Sequence, residues 1–165
     1  EPAFYASLVR AVDEKSLKVV DATGAKLFAA LGEGVDLVKP NLEELQNTLG
    51  KYMQTKDDLL EGCYELLDRG AKRVLLSLGK QGAIITDGSK SYYCKSINVA
   101  VNSTVGAGDA MVAAASLMLE QDAPIQEILR SGVAAGTATV MTKDSVSLTK
   151  EKYQEVLATL EVQQL

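Results

Sequence analysis

Short runs of aliphatic and β-branched residues alternate along the chain with longer segments of helical periodicity. Residues 17–21 and 35–38 are apolar runs that predict buried strands. A helix is predicted after each run, over residues 23–31 and from Asn41 onward, because Pro40 ends the second strand. Apolar residues spaced three and four apart predict an amphipathic helix over residues 57–68.

The second part of the chain continues the alternation. It predicts three short strands and then three helices, over residues 73–78, 83–86, 91–94, 106–120, 124–141 and 149–160. Strands that alternate with helices over short loops indicate an α/β domain with mainly parallel strands at its beginning. The hairpin-like stretch 83–99 predicts antiparallel strands on one side of the sheet. No linker or repeat interrupts the pattern, so we expect a single domain over residues 1–165.

The composition excludes some classes of binding partner for this domain. The chain has 165 residues and a formal net charge of −5, with no cluster of Lys or Arg. A nucleic-acid-binding protein needs such a cluster for phosphate contacts, so we expect no nucleic-acid partner. No apolar run approaches the length of about 18 residues that a membrane span needs, and the first residues lack a signal-peptide pattern. We therefore expect a cytoplasmic protein without a membrane partner.

The residues that are absent restrict the chemistry. The chain contains no His, which excludes a Ser-His-Asp or Cys-His nucleophile and a His-bearing zinc site. Its two cysteines, Cys63 and Cys94, are too far apart for a metal-binding motif, and we expect both to be reduced and buried. Enzymatic chemistry would have to come from carboxylates, Lys, backbone N–H groups and a bound metal.

The segment NSTVGAGDA at residues 102–110 is the strongest chemical signal. Gly106 and Gly108 lie where a helix is predicted to start, and the free N–H groups of a first helical turn attract anions. Asp109 in that turn would stay ionised and could act as a base or a metal ligand. Taken alone, GxGD also fits an ordinary helix cap. The chain has no Walker A motif and no third glycine for a dinucleotide fingerprint.

Two further segments follow predicted strands. SLGKQG at residues 77–82 would present N–H groups and the Ser77 hydroxyl to a phosphate, with Lys80 nearby, or would simply be a tight connection. KPNLEE at residues 39–44 places Asn41 and Glu44 at capping-box spacing. The same amide and carboxylate could instead orient water on Mg²⁺, which prefers oxygen ligands. Each segment alone leaves both interpretations open.

Together these segments resemble the PfkB (ribokinase-like) family of carbohydrate kinases. STVGAGDAMVA at residues 103–113 is similar to the family's C-terminal signature, Asn41 and Glu44 match its NxxE motif, and residues 77–82 match its SLGxxG loop. DATGAKL at residues 21–27 and VKPNLEEL at residues 38–45 are most similar to the 1-phosphofructokinase and tagatose-6-phosphate kinase branches.

The resemblance implies a fold and an assembly. It implies a ribokinase-like three-layer α/β sandwich with a mainly parallel sheet and some antiparallel strands. Residues 1–165 would correspond to the C-terminal, nucleotide-binding part, without the N-terminal half and its lid. That missing half carries most sugar contacts in the family, and its lid often forms the interface of a homodimer.

The same resemblance implies roles for individual residues. Asp109 would take the proton from the attacking sugar hydroxyl, and the N–H groups of Gly106, Ala107 and Gly108 would form an anion hole. Asn41 and Glu44 would hold Mg²⁺ through water. The implied nucleotide contacts are Ser77, Gly79, Gly82, Lys39, Ala135 and Thr139.

The implied reaction uses ATP and Mg²⁺ to convert fructose 1-phosphate to fructose 1,6-bisphosphate. Tagatose 6-phosphate or another small hydroxylated substrate is an alternative acceptor. A catalytically silent nucleotide-binding fragment is the alternative of a different class. Asn102 departs from the family pattern, where many members have Asp.

Overall fold

The computed structural model describes residues 1–142 and 148–165. Within them the helices are α1 (Pro2–Ala11), α2 (Gly24–Leu31), α3 (Leu42–Leu49), α4 (Lys56–Asp68), α5 (Ala107–Glu120), α6 (Ile125–Val140) and α7 (Lys150–Thr159). The strands are β1 (Val19–Val20), β2 (Leu37–Val38), β3 (Val74–Ser77), β4 (Ala83–Thr86), β5 (Ser91–Cys94) and β6 (Val162–Gln164). The strands are ordered β1-β2-β3-β4-β5-β6 in one sheet, and the chain divides into two compact units.

The first unit comprises Glu1–Ser77 and Ile85–Ser91. Its strands β1, β2 and β3 are parallel, with Val38 paired to Val20 on one side and to Val74 on the other. Helix α1 packs on α2, α2 on α3, and α4 on β3. The largest fully buried side chains of this unit are aliphatic: Leu27, Leu31, Val35, Leu37, Leu45, Leu66, Leu75, Leu76 and Ile85.

The second unit comprises Leu78–Ile84 and Tyr92–Leu165. Helices α5 and α6 pack closely in it, and α7 packs on α6. Strands β5 and β6 are antiparallel, with Tyr93 opposite Gln163. Gly136 lies where α5 and α6 approach closely, since a Cβ at this position would lie 3.3 Å from the carbonyl oxygen of Ala107, tighter than ordinary van der Waals contact.

The structure confirms the predicted alternation of strands and helices. The amphipathic helix, the three strands from β3 to β5 and the three helices from α5 to α7 lie where the pattern places them, within two residues at each end. Strands β1 and β2 are only two residues long, shorter than the apolar runs at 17–21 and 35–38. The turn after β3 contains a short 3-10 helix, Gly79–Gln81.

Two elements have no counterpart in the sequence-based prediction. Helix α1 begins at Pro2, a residue favoured in the first turn because its missing N–H is not needed there. Its larger apolar residues Phe4, Tyr5, Leu8 and Val9 have helical spacing, and Val9 is the buried one. Strand β6 has three residues, two of them Gln, and only its pairing with β5 makes it a strand.

The cysteines are free and buried, as expected from the sequence. Burial raises the pKa of the Cys63 thiol to about 12. Burial also raises the pKa of the Cys94 thiol, to about 11, against a smaller opposing effect of the Arg130 charge. Both groups are therefore protonated at neutral pH. Across residues 1–142 and 148–165, no helix combines the length and the apolar character that crossing a bilayer requires.

The turn after α4 provides a stability test of backbone packing. Gly70 has a φ of +122°, and a Cβ there would lie 2.0 Å from the carbonyl oxygen of Leu31. We expect Gly70→Ala to lower the free energy of unfolding by about 3 kcal/mol or more, because left-handed strain and a backbone clash add. Gly50 is the matched control, with a φ of +65° and no atom within 4 Å of an added Cβ.

Gly50→Ala should cost only about 1–2 kcal/mol, the conformational penalty alone. Chemical denaturation of both variants with the same probe gives the comparison. Equal losses in the two variants would show that the chain shifts to relieve the Gly70 clash.

Candidate functional site

The carboxyl ends of β2 and β3 bring two predicted site residues side by side. Asn41, which lies beyond the end of β2, forms an isolated parallel bridge with Ser77, the last residue of β3. The Ser77 N–H donates to the carbonyl oxygen of Pro40 at 3.0 Å. Parallel strands end at the same edge of a sheet, where ligands of open α/β sheets bind. The first unit therefore brings Asn41 of the KPNLEE segment next to Ser77, the first residue of SLGKQG.

Asn41 and Glu44 form the capping box that their spacing predicts. The Glu44 N–H donates to Asn41 Oδ1 at 2.8 Å, and the Asn41 N–H donates to Glu44 Oε2 at 2.8 Å. The structural interpretation of this segment is thus confirmed. The capping box uses only part of each side chain, since one oxygen of Glu44 and the amide nitrogen of Asn41 take no part in it.

Lys39 is a buried cation at the same sheet edge. It follows β2, its side chain is 6% exposed, and its Nζ lies 3.5 Å from Oδ2 of Asp21. Asp21 follows β1 and is 37% exposed. An ammonium group is costly to bury without a partner, so this carboxylate offsets part of the desolvation of Lys39. Asp21 is not among the site residues that the sequence predicts, although its place directly after a strand could have indicated it.

The family resemblance implies Mg²⁺, and the donors of this edge allow a test of fit. No group of three or more carboxylate or thiol side chains that could hold a metal occurs in the described ranges. A cage built from protein ligands alone is therefore not present there. Mg²⁺ usually keeps several waters and takes substrate phosphate oxygens, with only one or two carboxylates from the protein. The oxygen of Glu44 outside the capping box fits that second mode.

In the second unit, the start of α5 is an uncapped helix N-terminus. Gly106 is its N-cap residue in the left-handed region, with a φ of +80° and no side-chain capping bond. The Ala107 N–H makes a long contact of 3.4 Å with the carbonyl oxygen of Thr104. The N–H groups of Gly108 and Asp109 belong to the first turn, which has no intrahelical acceptors. They are therefore the best placed donors for an anion, whereas Ala107 is partly engaged.

The same turn presents Asp109, whose residue is exposed. The carboxylate lies in the first turn of a fourteen-residue helix, at the positive end of the helix dipole. Proton acceptance and N–H donation are thus available within one helical turn. This combination is the one that the GAGD segment predicts.

The loop before α5 is anchored to the end of α6. The Asn102 N–H donates to the carbonyl oxygen of Val140 at 2.8 Å, and Asn102 Nδ2 donates to that of Met141 at 2.7 Å. Ser103 Oγ accepts from the Val105 N–H at 3.2 Å. Asn102, the residue that departs from the family pattern, therefore has a structural task here.

Ala135 and Thr139 are buried in the packing of α6. They are 1% and 6% exposed, and Thr139 Oγ1 donates to the carbonyl oxygen of Ala135 at 2.8 Å. The Cγ2 atom of Thr139 lies 4.0 Å from the position that a Cβ on Gly106 would take. Thr139 thus lies beside the turn at the start of α5, and Ala135 accepts its hydroxyl hydrogen bond. Their direct contact with a nucleotide stays a prediction.

The two glycines of the SLGKQG segment have different surroundings. Gly82 has a φ of +100°, and an added Cβ would lie 2.0 Å from the carbonyl oxygen of Cys94, so close backbone packing requires glycine. Gly79 has a φ of +57° with no atom within 4 Å of an added Cβ. The Leu78 N–H donates to the carbonyl oxygen of Gly82 at 2.8 Å, which closes the turn. Only Gly79 has open space for a ligand beside it.

The candidate residues divide between the units. Lys39, Asn41, Glu44 and Ser77 belong to the first unit. The second unit contains Gly79, Gly82, Gly106, Ala107, Gly108, Asp109, Ala135 and Thr139. The first unit brings some of its candidate residues together at the carboxyl ends of β2 and β3. The second unit brings some of its candidate residues together at the N-terminus of α5.

Comparison with known proteins agrees with these features. The family model described as pfkB family carbohydrate kinase matches residues 9–152. The ATP-dependent 6-phosphofructokinase isozyme 2 of Escherichia coli is 36% identical over 156 residues, which cover 93% of this chain and 50% of that protein. The 1-phosphofructokinase of Bacillus subtilis is 27% identical over 162 residues, covering 98% of this chain and 53% of that protein.

A solved structure shows the same fold. The crystal structure of phosphofructokinase-2 from Escherichia coli in complex with potassium superposes with a TM-score of 0.88 at 35% identity, covering 96% of this chain and 52% of that one. The chain thus spans about half the length of the relatives that it matches. The family model extends over more than half of this chain, so the chain belongs to the pfkB family of carbohydrate kinases.

Proposed function

We propose that this chain supplies the phosphoryl-transfer machinery of an ATP-dependent kinase that acts on a ketohexose phosphate. The observation that carries the proposal is the N-terminus of α5, which is uncapped by any side chain and has the exposed Asp109 in its first turn. Family membership gives that arrangement its chemical context, because the matched relatives are sugar-phosphate kinases by name.

The proposed reaction is a direct transfer. A hydroxyl oxygen of the sugar phosphate bonds to the γ-phosphorus of ATP, the bond from that phosphorus to the β,γ-bridging oxygen breaks, and ADP leaves. Asp109 accepts the hydroxyl proton. The N–H groups of Gly108 and Asp109, with those of Gly106 and Ala107, stabilise the negative charge of the phosphoryl oxygens. Positioning and electrostatic stabilisation dominate catalysis of this reaction class.

The first unit contributes charge and metal binding in this proposal. Glu44 and Asn41 bind hydrated Mg²⁺, which neutralises phosphate charge when it is present. Lys39 adds a fixed positive charge at the same edge, with Asp21 as its partner. Ser77 contacts a nucleotide phosphate. Such local positive groups are needed because the whole chain is acidic and repels two anionic substrates at long range.

The names of the relatives restrict the proposed acceptor to the class of ketohexose phosphates and not to one sugar. The matched relatives are named as a 6-phosphofructokinase and a 1-phosphofructokinase, which differ in the position of the phosphate on fructose. Fructose 1-phosphate is the acceptor that the sequence motifs favour, and fructose 6-phosphate and tagatose phosphates belong to the same chemical class. A coupled assay of ADP formation with each sugar phosphate distinguishes them. Mg·ATP binding without transfer to any acceptor would favour a nucleotide-binding fragment.

Asp109→Asn tests the assignment of the base. The amide keeps the size of the side chain but cannot take a proton, so we expect kcat to fall by about 10²–10⁴-fold. The affinity for Mg·ATP, measured by calorimetric titration, should stay within about three-fold, because the N–H donors remain. A variant with near-normal turnover would contradict the role of Asp109.

Glu44 provides a second test that separates capping from metal binding. Gln can replace Glu in a capping box, so Glu44→Gln should leave the free energy of unfolding unchanged within about 0.5 kcal/mol. It removes the carboxylate charge, so we expect a several-fold higher Mg²⁺ concentration for half-maximal Mg·ATP binding.

The control for Glu44→Gln lies in the second capping box of the same unit, where Asp58 caps α4 and accepts from the Thr55 N–H. Asp58→Asn should leave the Mg²⁺ dependence unchanged. If Glu44→Gln and the wild-type chain show the same Mg²⁺ dependence of Mg·ATP binding, Glu44 has a capping role alone.

A further inference from the structure

A cleft in the first unit lies at the other end of β3 from Ser77. It is formed by the last turns of α4, by the segment that precedes β3 and by the turn between β4 and β5. Its volume is about 570 Å³, and the lining residues that matter here are Tyr64, Leu67, Asp68, Lys72, Asp87 and Gly88. All of them belong to the first unit. A volume of this size is typical of sites for small molecules.

A chain of hydroxyl groups behind the cleft fixes the direction of the Tyr64 hydrogen bond. The buried Thr86 Oγ1 donates to the carbonyl oxygen of Lys90 at 3.0 Å, so it accepts from Ser91 Oγ at 2.8 Å. Because Ser91 Oγ has then used its proton, Tyr64 is the donor in its contact of 3.4 Å with Ser91 Oγ. The Tyr64 oxygen therefore has only lone pairs left for a ligand.

Asp87 adds a charged acceptor to the cleft. Its Oδ1 accepts from the Ser89 N–H and the Ser89 hydroxyl, both at 2.9 Å, and from the Lys90 N–H at 2.8 Å. Burial by itself would raise the pKa of Asp87, but these hydrogen bonds and the charge of Arg73 lower it. The group is therefore ionised at neutral pH. Its Oδ2 accepts no hydrogen bond from the residues that the structure describes.

Asp68 lies where an ionised carboxyl group disfavours the fold. It is the last residue of α4, and the last turn of this thirteen-residue helix contains no basic residue. The negative end of a helix dipole repels a carboxylate. Asp68 forms no hydrogen bond or ion pair with any described residue, and the neighbouring Arg69 is engaged with the Phe28 ring, 4.2 Å away. A local arrangement that costs stability without compensation is typical of a functional site.

The remaining lining residues define the chemistry of the ligand. Lys72 also lines the cleft, but its Nζ already donates to Asp36 Oδ1 at 2.8 Å. The cleft thus presents acceptors, and a cation with several donors complements them. Within the described ranges no three carboxylate or thiol groups come together as a metal site. The Tyr64 ring and the Leu67 side chain suit an ammonium group on a methylene chain better than a hydrated metal ion.

We propose that this cleft, named the α4–β4 cleft, binds a small free aliphatic diamine. One ammonium group binds the Asp87 carboxylate, the other binds the Asp68 carboxylate, and the methylene chain packs on Tyr64 and Leu67. The two positive charges match the two carboxylates that lack an ionic partner. The site takes no part in the proposed phosphoryl transfer, so it stands or falls independently of ATP binding.

Calorimetric titration of the chain with 1,4-diaminobutane, in the absence of nucleotide, tests the site. We expect saturable binding that weakens at least about three-fold in Asp87→Asn and in Asp68→Asn, because each variant loses one ion pair. The matched control is Asp57→Asn, which removes the same charge from the exposed first turn of the same helix and should leave the affinity unchanged. Titrations with 1,4-butanediol and with MgCl₂ at equal ionic strength separate amine recognition from apolar binding and from simple charge attraction.

Thermal unfolding without ligand provides a second readout. Asp68→Asn removes an unfavourable charge at the C-terminus of α4, so we expect its midpoint temperature to rise by about 1–3 °C. Asp57→Asn removes a favourable charge at the N-terminus of the same helix and should lower the midpoint by a similar amount. A merely structural Asp68 would not combine higher stability with weaker diamine binding.

The results have opposite consequences for the proposal. Saturable diamine binding that both cleft variants weaken and Asp57→Asn does not would support it. The absence of saturable binding to the wild-type chain would overturn it, as would equal affinities in Asp68→Asn, Asp87→Asn and the wild-type chain. Equal binding of the diol or of Mg²⁺ would also overturn it, because the cleft would then not recognise the amine.

Discussion

The parallel pairing of β1, β2 and β3 is the constraint on which the first unit depends. These strands have only two to four residues each, yet their pairing brings every carboxyl end to one edge. Asp21, Lys39, Asn41 and Ser77 lie at the carboxyl ends of three different strands that are separated in sequence. A shift of one residue in the pairing would turn their side chains to the other face. Register, rather than any single contact, therefore determines which groups a ligand could meet there.

The burial of Lys39 shows that this register has a desolvation cost and that it provides local positive charge. Its N–H pairs with Val20 in the ladder, which fixes where the side chain starts, and its ammonium group then lies almost out of water beside Asp21. Desolvation of an ammonium group disfavours folding, and one carboxylate at 3.5 Å offsets only part of that cost. A phosphate group would offset the rest. An acidic chain can in this way present positive charge locally, because the charge is held by the fold and not by the average composition.

The sequence predicted most of the fold because the signals were local. Periodicity placed the strands and the longer helices, and the Asn41–Glu44 spacing predicted a capping box that the structure contains. Helix α1 was missed although its signal is also local, since Phe4, Tyr5, Leu8 and Val9 have helical spacing. Asp21 was missed because its importance comes from Lys39, eighteen residues later and on another strand. Such pairings depend on tertiary register, which no local window contains.

The candidate site residues at the start of α5 also depend on tertiary packing that a local sequence window does not contain. The segment 106–109 looks self-sufficient as a motif, but its position depends on α6. Gly136 allows that helix to approach the Ala107 carbonyl oxygen, and Asn102 ties the preceding loop to the last turn of α6. The small residues of α6 looked like ordinary helix packing in the sequence. In the structure that packing supports the first turn of α5, so a change at Gly136 would act on the N–H groups of that turn without touching them.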